Sequence, residues 1–157
     1  MQDFSTTDAR KRLGAWAEAY ADQLFFERGY KQLEKNARSA GVECDRIYIR
    51  KKPWSGAGWH EGESVVFAEI KCRTTTRGWV YERDALRRFL AGKQFRRQHD
   101  NFQRYALRLQ AQHRAAEFFH VLVWMIRPAR SGPELPENTS DVVVTFYDLC
   151  TGRLFQL

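Results

Sequence analysis

Glu69 and Lys71 stand two residues apart in the apolar segment SVVFAEIKCR (64–73). Side chains alternate along a strand, so both point to one face with Phe67, while Val66, Ala68, Ile70 and Cys72 line the other. An unpaired buried charge is costly, and the plainest account of two opposite ones is that they pair. The preceding segment, ECDRIYIRK (43–51), offers a second account. Glu43 and Asp45 also share a face, and if the two strands are hairpin neighbours the carboxylates of Asp45 and Glu69 can converge. Converging carboxylates repel and raise each other's pKa. A hard cation relieves that repulsion, and Mg²⁺ suits one or two carboxylates plus water and substrate phosphate. Lys71 beside it could orient a water or stabilise charge developing on phosphate. Asp45, Glu69 and Lys71 therefore form a set of parts for metal-assisted phosphodiester hydrolysis.

The elements that must position this set can be read from periodicity. Over residues 6–28, Leu13, Trp16, Ala17, Tyr20, Ala21 and Leu24 recur at three- and four-residue spacing and predict an amphipathic helix, with Gly29 at its end. YKQLEKNAR (30–38) reads as an edge strand, and Ile47 and Ile49 give 43–51 a strand's alternation. Residues 52–63, rich in glycine and holding Trp54, Trp59 and His60, read as a long hairpin loop. Two helices follow over 82–91 and 94–115, divided near Gly92, and the second carries Phe95, Phe102, Tyr105 and Leu109 on one side. Strands close the chain at 118–126 and 141–149, around a proline-rich, flexible loop at 128–140. The order is αβββααββ in one domain spanning 1–157, with an α/β fold and no internal repeat.

The chain carries a formal net charge of +7, with a pI near 9.6. A basic surface favours polyanions. The excess is localised: from Arg73 to Arg108 there are ten basic residues against three acidic ones. No apolar run approaches the roughly 18 residues of a membrane span, and the N-terminal stretch lacks the apolar core of a signal peptide. Three scattered cysteines, Cys44, Cys72 and Cys150, make neither a disulfide framework nor a zinc-ligand spacing and fit a reduced, cytoplasmic setting. Ideal alternation puts Cys44 and Cys72 on the face opposite the acids.

Asp45 with Glu69-Ile70-Lys71 resembles the PD-(D/E)xK nuclease signature. More narrowly, LGAWAEAYADQLFFERGY, EKNAR, ECDRI and FAEIKCR resemble the bacterial YraN-like endonuclease family, related to archaeal Holliday-junction resolvases. These stretches cover roughly the first half of the chain. The resemblance implies a restriction-endonuclease-like mixed sheet flanked by helices. It implies that Asp45 and Glu69 bind Mg²⁺ or Mn²⁺, that Lys71 assists the water, and that Glu18 on the first helix completes the site. Glu43 matches the acidic residue of the family's E-x-D step. The chain departs from the pattern at Arg46, where the family usually has an apolar residue, at Cys44 and Cys72, and in the length of the 52–63 loop.

The resulting expectation is a metal-dependent endonuclease acting on DNA rather than RNA, branched or single-stranded, in repair or recombination, with no membrane partner and with room for a homodimer. Arg73 shares the face of Glu69 and Lys71 and is the first candidate for a phosphate clamp. Arg77, Arg87, Arg88, Lys93, Arg96 and Arg97 extend the basic surface. The rival expectation is a nucleic-acid-binding module that keeps the fold without catalysis.

Overall fold

The computed structural model describes residues 6–39, 42–51, 62–75, 80–111, 116–128, 135 and 139–157. The elements are α1 (Thr6–Phe26), β1 (Lys31–Ser39), β2 (Val42–Lys51), β3 (Glu63–Thr75), α2 (Val80–Ala91), α3 (Lys93–Gln110), β4 (Ala116–Pro128), a single 3-10 turn at Thr139–Asp141, and β5 (Val143–Asp148). The αβββααββ order is the expected one, with the second of the paired helices ending at Gln110. Arg77, most of the 52–63 loop with Trp54, Trp59 and His60, and most of 128–140 lie outside the described residues.

The five strands form one mixed sheet in chain order. β1–β2, β2–β3 and β4–β5 pair antiparallel, whereas β3 and β4 are parallel. A parallel pair needs a long crossover, and α2 and α3 supply it. β4 is buried continuously from His120 to Arg127, as a central strand covered on both faces should be.

Strand parity sorts the two faces. On one, Ala17, Ala21 and Phe25 of α1 pack against Tyr48, Val66, Ala68 and Val123. The two alanines let the helix lie close to the sheet. Phe25 stacks on Tyr48 with ring centroids 4.0 Å apart. On the other face, Phe102 and Leu109 of α3 pack on Ile47, Val65 and Phe67, while Leu86 and Phe89 of α2 cover Leu122, Trp124 and Ile126. α1 ends where Gly29 takes φ of 79°. There the Tyr30 amide donates to the Phe25 carbonyl and the Gly29 amide to that of Phe26, a left-handed cap that satisfies the last carbonyls and turns the chain into β1.

The ladders are unequal in length. β4 follows β3 through Thr75↔Pro128, but β2 pairs with β3 only between Lys51↔Glu63 and Arg46↔Ala68. From Glu69 onward β3 therefore pairs, among the described residues, with β4 alone. At the sheet's outer edges, β1 exposes Lys31, Lys35 and Arg38. Beyond β5 the C-terminus folds back, with the Phe155 amide on the Phe146 carbonyl at 2.9 Å and a bridge between Tyr147 and Leu154. Among the described residues no helix is long and apolar enough to cross a membrane.

Phe25 is fully buried and meets Tyr30, Tyr48 and Phe146. Phe25→Ala should cost about 3–5 kcal/mol in urea unfolding. A loss below about 2 kcal/mol would contradict the docking of α1 on this face.

Candidate active site

The Glu-x-Lys pair lies where the sheet splits. Past Ala68 the amide of Ile70 has no β2 carbonyl opposite it, and the Asp45 carboxylate takes that place, accepting from Ile70 N at 2.8 Å through Oδ2. The Asp45 carboxylate thus sits on the amide of the residue after Glu69. Cys44 also fills the split, donating its thiol to the carbonyls of Arg46 at 3.2 Å and Ala68 at 3.7 Å.

Glu69 is buried on the face that α3 covers. Its Oε2 accepts from Gln98 Nε2 at 3.0 Å and lies 3.9 Å from Lys71 Nζ. Burial raises the Glu69 pKa first and the Asp45 charge raises it further; Lys71 and the Gln98 hydrogen bond oppose both, and the net result is a carboxyl pushed up to about 8. Both accounts drawn from the sequence hold some ground. Glu69 and Lys71 do approach as an ion pair, and Asp45 is also close enough to act on Glu69.

Gln98 was not legible as a site residue in the sequence reading. The available signal was its position, three residues after Phe95 and four before Phe102, a polar side chain on the apolar stripe of α3. Its Oε1 is buried and accepts nothing from the described residues. With Glu69, Cys44, Phe67, Phe102 and Tyr105 it lines an open cleft. His120 closes one wall and faces His99, with 3.0 Å between the Nδ1 atoms. Burial, then the neighbouring His99, pulls His120 down to about 3, so it serves as a neutral ring stacked on Phe102.

Cys44 corrects the sequence reading. It has the same parity as Arg46, yet Arg46 reaches α1, with Nε 3.0 Å from Asp22 Oδ1, while Cys44 joins the cluster under α3. Ideal alternation fails between these two residues, at the point where the β2–β3 ladder ends. Burial, with the charges of Glu69 and Asp45, pushes the Cys44 thiol well up, so it is a neutral packing group. Cys72 lies on the α1 side, as parity predicts. All three cysteines are unpaired.

Glu18, expected near the metal, forms a 3.1 Å ion pair with Arg46 Nη1. The groups acting on Glu69 are Asp45, Lys71, Gln98 and Glu43; Glu18 acts on Arg46 and Tyr48 instead. Glu43 pairs with Arg38 at 3.0 Å on the rim of the cleft. Arg73 is exposed at the end of β3, its guanidinium 5.7 Å from the Trp124 ring centre. Arg87 and Arg88 on α2, and Lys93, Arg96 and Arg97 on α3, are exposed. The helical turn that delivers Gln98 to Glu69 thus also carries two exposed arginines.

The donor set suits a hard cation. Asp45 lies close enough to raise the Glu69 carboxyl, and a cation between the two carboxylates would cancel that repulsion. The described residues contain no group of three or more His, Cys, Asp or Glu side chains placed to hold a metal; Asp45 and Glu69 offer two carboxylates, and Mg²⁺ takes one or two from protein beside water and substrate phosphate. Compared with known proteins, the chain matches no family model, no curated protein and no solved structure.

The position of Glu69 has a pH signature. A carboxyl moved from the ordinary 4.5 to about 8 on folding holds its proton more tightly in the native state. Its contribution to stability is complete below the unfolded value and is lost as pH rises toward the folded one. In EDTA, the urea midpoint of the wild type relative to Glu69→Gln should therefore fall steadily from about pH 5 to pH 8. The buried His120 acts in the opposite sense below its ordinary value and cancels in the comparison. A difference independent of pH would mean that Glu69 does not carry this strain.

Proposed function

We propose that the protein is a Mg²⁺- or Mn²⁺-dependent nuclease of restriction-endonuclease-like architecture that hydrolyses phosphodiester bonds in DNA. The observation that supports this reading is the Asp45 carboxylate on the Ile70 amide, between Glu69 and Lys71 in the chain and near enough to raise the Glu69 carboxyl, in a basic chain. Asp45 and Glu69 are the metal ligands, and Lys71 is the cationic group beside them. The bound ion supplies Lewis acidity and a water of lowered pKa. Gln98 holds Glu69 in orientation through Oε2. Lys71 reaches the attacking water or a non-bridging phosphate oxygen, where a preorganised cation stabilises developing charge. The exposed bases of α2 and α3, with Arg73, hold the phosphate backbone on the face that bears Glu69. The preference for DNA, for branched or single-stranded forms, and for a role in repair or recombination rests on the resemblance of the sequence to YraN-like and resolvase-type nucleases.

Lys71→Ala should retain metal and DNA binding and lose turnover by about 10²–10³. Lys71→Arg should restore little, because a planar fork does not replace a point charge. The measurement is cleavage of labelled branched, linear and single-stranded DNA in Mg²⁺, Mn²⁺ or EDTA. Equal cleavage by Lys71→Ala would return the pair to a purely structural ion pair. A wild type that cuts none of these substrates in any metal would favour the non-catalytic binding module.

Charge reversal at Arg87, Arg88, Arg96 and Arg97 should weaken DNA binding for all sequences alike and flatten its dependence on salt. Affinity and salt slope are read from titrations at several ionic strengths. If both stay at wild-type values, the basic helices serve solubility alone.

A further inference from the structure

Arg46 is a charged side chain only 3% exposed in the middle of the molecule. Such burial requires partners, and it has three. Nε donates to Asp22 Oδ1 at 3.0 Å and Nη1 lies 3.1 Å from Glu18 Oε2, both on α1. Nη1 also donates to the main-chain carbonyl of Asp45 at 2.8 Å. Asp22 is itself fixed by the Tyr48 hydroxyl at 2.6 Å. Burial pulls the Arg46 pKa down, but Asp22 and Glu18 more than offset it, so the guanidinium stays charged.

A side chain needed only to hold α1 on the sheet would require Asp22 and Glu18. The third contact falls on the residue whose carboxylate closes the split in the sheet. Asp45 is thereby held at two points: its carbonyl by Arg46 from the α1 side, and its carboxylate by the Ile70 amide at 2.8 Å. Between these points the chain turns Arg46 toward α1 and Cys44 toward α3.

We propose that Arg46 is a positioning residue that aims Asp45 at Glu69, and that by pairing with Glu18 it removes that carboxylate from the ligand set. The second half rests on the metal-dependent reading above; the first does not. A planar fork is needed for the task, since one guanidinium serves two carboxylates and a carbonyl at once, which a single ammonium cannot do with the same geometry.

The test uses the full chain and three variants. Arg46→Met combined with Glu18→Gln and Asp22→Asn removes the fork without leaving a buried charge unpaired. Arg46→Lys keeps the charge and loses the fork, and Glu18→Gln keeps the contact to Asp45. Two quantities are read: hydrogen exchange of the Ile70 amide in metal-free protein, and Mn²⁺ affinity by calorimetry, with a cooperative urea transition as the control for folding. Exchange at Ile70 should accelerate at least about tenfold in the triple variant and in Arg46→Lys, with the amides of Val66 and Tyr48 little changed, because only Ile70 depends on the aim of Asp45. Mn²⁺ affinity should fall at least about tenfold in both, as for loss of a group that orients a metal ligand, and should stay within about twofold of wild type in Glu18→Gln. Unchanged protection at Ile70 in whichever Arg46 variant keeps a cooperative urea transition would overturn the positioning role. A tenfold loss in Glu18→Gln would overturn the exclusion of Glu18. A wild type that binds no Mn²⁺ would overturn the metal-dependent function, and the exchange at Ile70 would still decide the role of Arg46.

Discussion

The hydrogen bond from the Ile70 amide to the Asp45 carboxylate is the contact on which the candidate site depends. Where β2 leaves β3, a central strand is left with a backbone donor facing no carbonyl, and a donor stranded in the interior costs about 1–3 kcal/mol. A side chain, rather than a strand, meets that donor. This lets the sheet open without an orphaned group, and it brings an acid into the opening. The structural need and the chemical opportunity coincide at one atom pair, 2.8 Å apart.

Two charged clusters flank this contact on opposite faces of the sheet, each with one base against two carboxylates, and they differ in how closely the charges are paired. On the α1 side, one guanidinium meets two carboxylates and a carbonyl at 2.8–3.1 Å. On the α3 side, Glu69 has only a lysine at 3.9 Å and an amide to set against burial and the nearby Asp45. The first arrangement suits a fixed framework. The second retains unmet electrostatic demand, the condition expected where a protein keeps a group ready for a ligand instead of for itself.

Much of the framework was legible in the sequence because it follows from strict periodicities. The three- and four-residue spacing of Ala17, Ala21 and Leu24 gave α1, and alternation through Val66, Ala68 and Ile70 gave both the strand and the face of Glu69 and Lys71. The site was less legible because it forms where periodicity lapses. Cys44 takes the face that ideal alternation denies it, just past the end of the β2–β3 ladder. Gln98 was hidden in an apolar stripe whose other members explain themselves by burial. Glu18 carries no local sign that Arg46, twenty-eight positions later, will claim it; charge partners across elements are set by packing, which spacing along one chain does not encode. The restriction-endonuclease-like assignment likewise came from resemblance, whereas the structure itself establishes a five-stranded mixed sheet between helices.

The sheet's two outer strands have a bearing on how the protein behaves when crowded with its own copies. An open strand edge is a template onto which another chain can add, and repeated addition leads to fibres. β5 is shielded by its own C-terminal tail, which occupies part of the outer ladder through the Phe146 carbonyl and Tyr147. β1 has no such cover among the described residues, but its exposed Lys31, Lys35 and Arg38 would be brought near their own counterparts if two copies joined edge to edge. One edge is blocked by occupancy and the other by repulsion, and the second protection weakens as salt screens the charges. High ionic strength therefore lowers the chain's barrier to self-association at this edge.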